Sequence, residues 1–178
     1  MKSALALATA IFCLAAANPA AATLAAGDPA PSFTTRGVLG STAMTVDLAL
    51  LLRQGPAVIF FFPSAFSETA ECREFAENID KFRAAGASVV GMSRDSVESL
   101  TRFSIEQCAG KIPVASADQA LVDAFDVNDG AMFNTRTTYV IATSGKIAFV
   151  HDSEDSSGHV KSALAFVQAM TNVQGMTK

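Results

Sequence analysis

Six apolar residues in a row, Ala57-Val58-Ile59-Phe60-Phe61-Phe62, run between Gly55-Pro56 and Pro63. No polar side chain gives this segment a wet face. A strand of that length, buried on both sides, belongs at the centre of a sheet covered by helices, and this points to an α/β architecture. The neighbouring segments agree. From Ala70 to Ala85, Cys72, Phe75, Ile79 and Phe82 recur at helical spacing, with Glu71, Glu74, Lys81 and Arg83 elsewhere around the turn. Gly86 stops that helix, and Ser88 to Met92 reads as the next strand. Asp95 or Ser96 caps a second helix that carries Leu100 and Phe103 and ends near Cys108, with Gly110 as its stop.

The remaining segments extend the alternation. Val46 to Leu52 predicts a short helix before the central strand, and Ile112 to Ser116 a short extended piece. Asp118 caps a third helix holding Leu121, Val122 and Phe125, followed by a polar loop from Asp126 to Asn134. Thr138 to Ala142 and Lys146 to His151 form a hairpin around Thr143-Ser144-Gly145, and a last helix runs from about His159 to Met170. Strands alternating with helices, then a hairpin and a terminal helix, give a thioredoxin-like arrangement: a central mixed β-sheet flanked by helices, in one domain over 27–172.

Residues 1–22 stand apart from that domain. Lys2 precedes an apolar stretch from Ala4 to Ala17, Asn18-Pro19 breaks it, and Ala20-Ala21-Ala22 supplies the small residues of a cleavage site. A membrane span needs about 20 apolar residues, more than this run holds. The expectation is a signal peptide, with the mature protein exported, periplasmic or secreted, and no membrane span in it. Cys13 leaves with the leader. Cys72 and Cys108 remain, in a compartment where a disulfide persists. A net charge of −4 without a basic cluster gives no electrostatic case for nucleic acid. His151 and His159 with two thiols do not make a closed zinc set, so no metal or other cofactor is expected. C-x-x-C is absent, which counts against a disulfide exchanger of the thioredoxin type.

Four pieces together resemble the peroxiredoxin family, in its bacterioferritin-comigratory-protein branch. Gly27-Asp28-Pro29-Ala30-Pro31-Ser32-Phe33 matches the opening motif G-D-x-A-P-x-F, and Gly55 to Pro63 matches the strand leading to the active site. Val89-Val90-Gly91-Met92-Ser93-Arg94-Asp95-Ser96 looks like the following strand and helix cap. Arg136-Thr137-Thr138-Tyr139-Val140-Ile141 looks like the strand that bears the family's active-site arginine. The likeness runs from about Gly27 to Met170.

The resemblance implies a thiol-dependent peroxidase acting on hydrogen peroxide or organic hydroperoxides. Its oxidised cysteine would be returned by a thiol reductant such as a thioredoxin-like protein, in a monomer or a homodimer. Such chemistry needs a thiolate at a helix N-terminus beside a cation, because the neutral thiol is a poor nucleophile. The family pattern P-x-x-x-(T/S)-x-x-C starts here at Pro63 and Ser67 and then reaches Ala70, whereas counting back from Phe75 and Asn78 reaches Glu68. Neither count reaches Cys72. In one reading a shortened loop delays the helix, so that Cys72 is the nucleophile in its first turn. Thr69 or Ser67 would then bind the peroxide, Pro63 would shield the pocket, and Arg136 would stabilise the thiolate. Cys108 would be the resolving cysteine, with the Cys72 helix unwinding locally to reach it. In the other reading Cys72 is a core residue on the stripe of Phe75 and Ile79, and Arg136 pairs with an acid such as Asp126 or Asp129. The fold would then serve as a catalytically degenerate binding or interaction module.

Overall fold

The structure, a computed structural model, describes residues 24–67, 70–130 and 132–176. Seven strands form one mixed sheet in the order β2-β1-β5-β4-β3-β6-β7. The apolar run becomes β3 (Ala57–Phe61), parallel to β4 (Ser88–Ser93) and antiparallel to β6 (Thr137–Ile141). All five of its residues are fully buried. The two-residue period of a strand splits them between two cores. Val58 and Phe60 face the layer of α2 (Ala70–Ala84), α3 (Val97–Glu106) and α5 (His159–Met176), where Phe60 stacks on Phe75 at 4.3 Å between centroids. Ala57, Ile59 and Phe61 face the opposite layer, which holds α1 (Leu48–Leu52) and α4 (Gln119–Ala124) with Leu48, Val122 and Phe125. Burying side chains of this size contributes about 1.5–3 kcal/mol each, so both layers hold the strand in place.

β1 (Thr34–Leu39) and β2 (Thr42–Asp47) form a hairpin that the apolar pattern does not announce. Val38 and Val46 are its fully buried apolar residues, and threonines occupy much of the rest. The turn rests on Gly40, whose φ of 59° suits glycine. Val46 and Asp47, expected in a helix, instead end β2. Asp47 then caps α1 by accepting from the Leu50 amide at 2.9 Å.

β5 (Val114–Ser116) pairs with both β1 and β4, and β7 (Ile147–Asp152) closes the sheet beyond β6. Ser96 is the N-cap of α3 and Asp118 that of α4, while α5 continues past the expected Met170 to Met176. Among the described residues no helix is long and apolar enough to cross a membrane. The C-terminal ends of the parallel strands β3, β4 and β5 lie together, the end at which open α/β sheets bind ligands.

Candidate active site

Cys72 is the third residue of α2, so its amide is one of the first four in the helix that lack an intrahelical acceptor. Its side chain nevertheless packs into the core and is 2% exposed. First-turn placement and burial, alternatives in the sequence, hold together here. The sulfur is joined to Cys108, with Cα atoms 5.1 Å apart and a sequence separation of 36. Cys108 lies two residues past α3 and is fully buried. Both segments are further tied by Arg73, which donates to Gln107 Oε1 at 2.9 Å. The disulfide-bonded form is not unwound as expected: α2 is helical from Ala70 with the disulfide in place. A deeper cysteine on the inner face of the helix already points at the α3 terminus, so no turn has to open.

Arg136 sits one residue before β6 and is 2% exposed. Its guanidinium is paired with the Glu71 carboxylate and also donates from Nε to the Glu154 carbonyl at 3.3 Å. Glu71 is thus a buried partner of Arg136 that the sequence reading, which offered an acid such as Asp126 or Asp129, did not name. Glu71 is itself 1% exposed, which corrects its placement around the turn from the apolar stripe. The signal was present: Glu71 precedes Phe75 by four residues and Ile79 by eight, so it lies on the buried stripe. A carboxylate there requires a buried cation, because an uncompensated charge in the core is too costly.

His159, the first residue of α5, completes this polar cluster. Its Nε2 lies 3.0 Å from the Ser153 carbonyl, an acceptor, so Nε2 carries a proton and donates to it. Nδ1 then accepts from the Thr138 hydroxyl at 2.9 Å in the neutral ring, and lies 3.7 Å from Glu71 Oε1. Burial holds the His159 pKa below its ordinary value; the Ser153 bond opposes this, and the positive fields of His151 and Arg136 add to the lowering. The His151 ring meets it edge-on at 4.4 Å, and the field of Asp152 favours the proton.

The sign of the pH effect follows. The unfolded chain binds this proton near pH 6.5, while the folded chain resists it to lower pH. Stability is therefore full above pH 6.5 and falls as pH drops through the folded value. His159→Gln should flatten this slope below about pH 6.5, read from urea midpoints. An unchanged slope would assign the acid sensitivity to other groups.

Of the other expected site residues, Pro63 is half-buried at the end of β3 and Ser67 is exposed, its hydroxyl donating to the Ser64 carbonyl at 2.8 Å. Thr69 and Glu68 lie outside the described residues, as do the leader and Cys13. Among the described residues no group of three or more His, Cys, Asp or Glu side chains could hold a metal ion. The described site thus brings Cys72, Cys108 and Arg136 to the start of α2, and adds Glu71, Thr138 and His159.

The sequence profile of the AhpC/TSA family matches residues 26–150. Peroxiredoxin Bcp of Xanthomonas campestris pv. campestris is 30% identical over 155 residues, covering 76% of this chain and 97% of that protein. A putative peroxiredoxin of Mycobacterium tuberculosis is 36% identical over 131 residues, covering 69% of this chain and 84% of its own length. The crystal structure of peroxidoxin BcpB from M. tuberculosis superposes with a TM-score of 0.76 at 31% identity, over 83% of this chain and 98% of that one. A profile spanning most of the chain, relatives at this identity and a superposable structure leave one assignment: the chain belongs to the AhpC/TSA family, in its peroxiredoxin Bcp branch.

Proposed function

We propose that the chain is an exported thiol-dependent peroxidase, an oxidoreductase of the peroxiredoxin type that reduces hydrogen peroxide or organic hydroperoxides. The observation that carries this reading is the pair Cys72 and Cys108, bonded at the start of α2 while Arg136 holds the adjacent residue of the same turn. In the reduced protein the Cys72 thiolate attacks the terminal oxygen of ROOH. The O–O bond breaks, the alkoxide leaves with a proton as ROH, and the sulfur becomes a sulfenic acid. The Cys108 thiol then attacks that sulfur, water leaves, and the disulfide forms. Two thiol equivalents from a reductant such as a thioredoxin-like protein restore both cysteines. Helix N–H groups and dipole at the start of α2 favour the Cys72 thiolate. Thr69 or Ser67 supplies a hydroxyl to the peroxide, and Pro63 covers the pocket. The working unit is a monomer or a homodimer.

A second reading has its own support. Both sulfurs are buried, and Arg136 is engaged by Glu71 rather than left open to a thiolate. Those features suit a disulfide that staples a binding or interaction module.

One experiment separates the two readings. Protein from the natural host is weighed intact, then reduced and given hydrogen peroxide or cumene hydroperoxide with a thioredoxin system. Enzyme and export together predict a mass starting near Thr23 and steady consumption that Cys72→Ser abolishes. Consumption that persists in Cys72→Ser, or none in the wild type, would remove the peroxidase; a mass retaining Cys13 would remove the export.

A further inference from the structure

In the loop that joins β3 to α2, the Ala65 amide is held from outside the loop by the carboxylate of Asp95. Phe66 has a φ of 68°, a left-handed value uncommon for a residue with a side chain. Such a backbone persists only where its surroundings over-determine it. The Ala65 amide donates to Asp95 Oδ2 at 2.7 Å, and the Ser93 hydroxyl donates to the same oxygen at 2.7 Å. The main chain of Asp95 is fixed in turn: its amide donates to Ser93 Oγ at 3.3 Å, and its carbonyl accepts from the Ser116 hydroxyl at 2.8 Å. Ends of β3, β4 and β5 thus converge on one residue, at the ligand-binding end of the sheet. The Phe66 ring is then laid edge-on against Phe103 at 5.5 Å, with the Arg102 guanidinium 5.7 Å from its centroid.

We propose that Asp95 is a positioning residue for the peroxide loop, its Oδ2 clasping the Ala65 amide so that Pro63–Ser67 is held ready over the start of α2. The proposal rests on the thiol-peroxidase reading for its catalytic half. A carboxylate suits the task because hydrogen bonds to an ionised acceptor are short and strong, and one oxygen can serve two donors. The clasp comes from the residues that lead into α3, at the end of that helix opposite Cys108. Asp95 therefore acts on the reaction with peroxide and not on the return of the thiols. It touches no reacting atom.

The test uses the full mature protein with Asp95→Ala and Asp95→Asn, since the asparagine carbonyl still accepts from Ala65. Amide exchange at Ala65 is read alongside two half-reactions: oxidation of the reduced protein by hydrogen peroxide, and reduction of the disulfide by dithiothreitol. Asp95→Ala should lose protection at Ala65 and slow oxidation on the order of tenfold or more, with the reduction rate unchanged. Asp95→Asn should recover most of both. Retained protection at Ala65 in Asp95→Ala would overturn the clasp, and equal slowing of both half-reactions would overturn the positioning role in favour of a general loss of structure. A wild type inert to peroxide would sink the peroxidase and the catalytic half together, while exchange at Ala65 would still decide the clasp.

Discussion

One equivalent of peroxide, added to fully reduced protein, is expected to return the Cys72–Cys108 disulfide without any loss of helix. The Cα atoms stand 5.1 Å apart with α2 wound from Ala70, inside the range that a disulfide spans without backbone movement. A sulfenic acid on Cys72 therefore meets Cys108 without a prior opening step. Capture should outrun a second oxidation, and Cys72 sulfinic acid should stay scarce even at tenfold excess peroxide. Closing a loop of 36 positions also restricts the unfolded chain, and the chain-entropy account gives about 4 kcal/mol of stabilisation for it. The oxidised form should thus unfold at markedly higher urea than the reduced form, with far-UV dichroism of the two folded states nearly superimposable. Peptide mapping that finds Cys72 over-oxidised and Cys108 free would leave a one-cysteine mechanism. A large loss of helix on oxidation would restore the unwinding step that the geometry makes unnecessary.

Arg136→Met is expected to cost about 3–5 kcal/mol, the range found when one partner of a buried ion pair is removed. On the sequence alone a methionine in apolar surroundings looks harmless. The fold changes that expectation, because the guanidinium is what compensates Glu71, and both side chains are at most 2% exposed. Without it the carboxylate is left in the core beside His159 and Thr138, where it must take up a proton or drag water in. Stability of Arg136→Met should therefore rise as pH falls and Glu71 protonates, opposite in sign to the His159 effect. Glu71→Gln combined with Arg136→Met should recover much of the loss, since neither group is then charged. Urea midpoints of the two single variants and the double variant measure the coupling. An Arg136→Met midpoint within about 1 kcal/mol of the wild type, the scale of an exposed pair, would show that the pair is not desolvated in solution.

The chain's own pattern settled the architecture and much of the site's position. Ala57 to Phe62 could only be a doubly buried strand, and the stripe through Phe75, Ile79 and Phe82 could only be a helix facing it, because burial on a regular backbone repeats with that backbone's period. The same argument located Arg136 at the mouth of an interior strand. Patterns of this kind report which face a residue occupies along its own element. They do not report what stands opposite. The β1–β2 hairpin escaped notice because its two buried valines are diluted by threonines and its partner is supplied by β5. Glu71 was legible as a helix residue and not as the partner of an arginine 65 positions away, since only the tertiary fold brings the start of α2 to the residue before β6. Likewise the sequence offered the first-turn and core readings of Cys72 as alternatives. They coincide in the fold because the end of α3 reaches the inner face of that first turn, and there a buried sulfur has a second sulfur to meet.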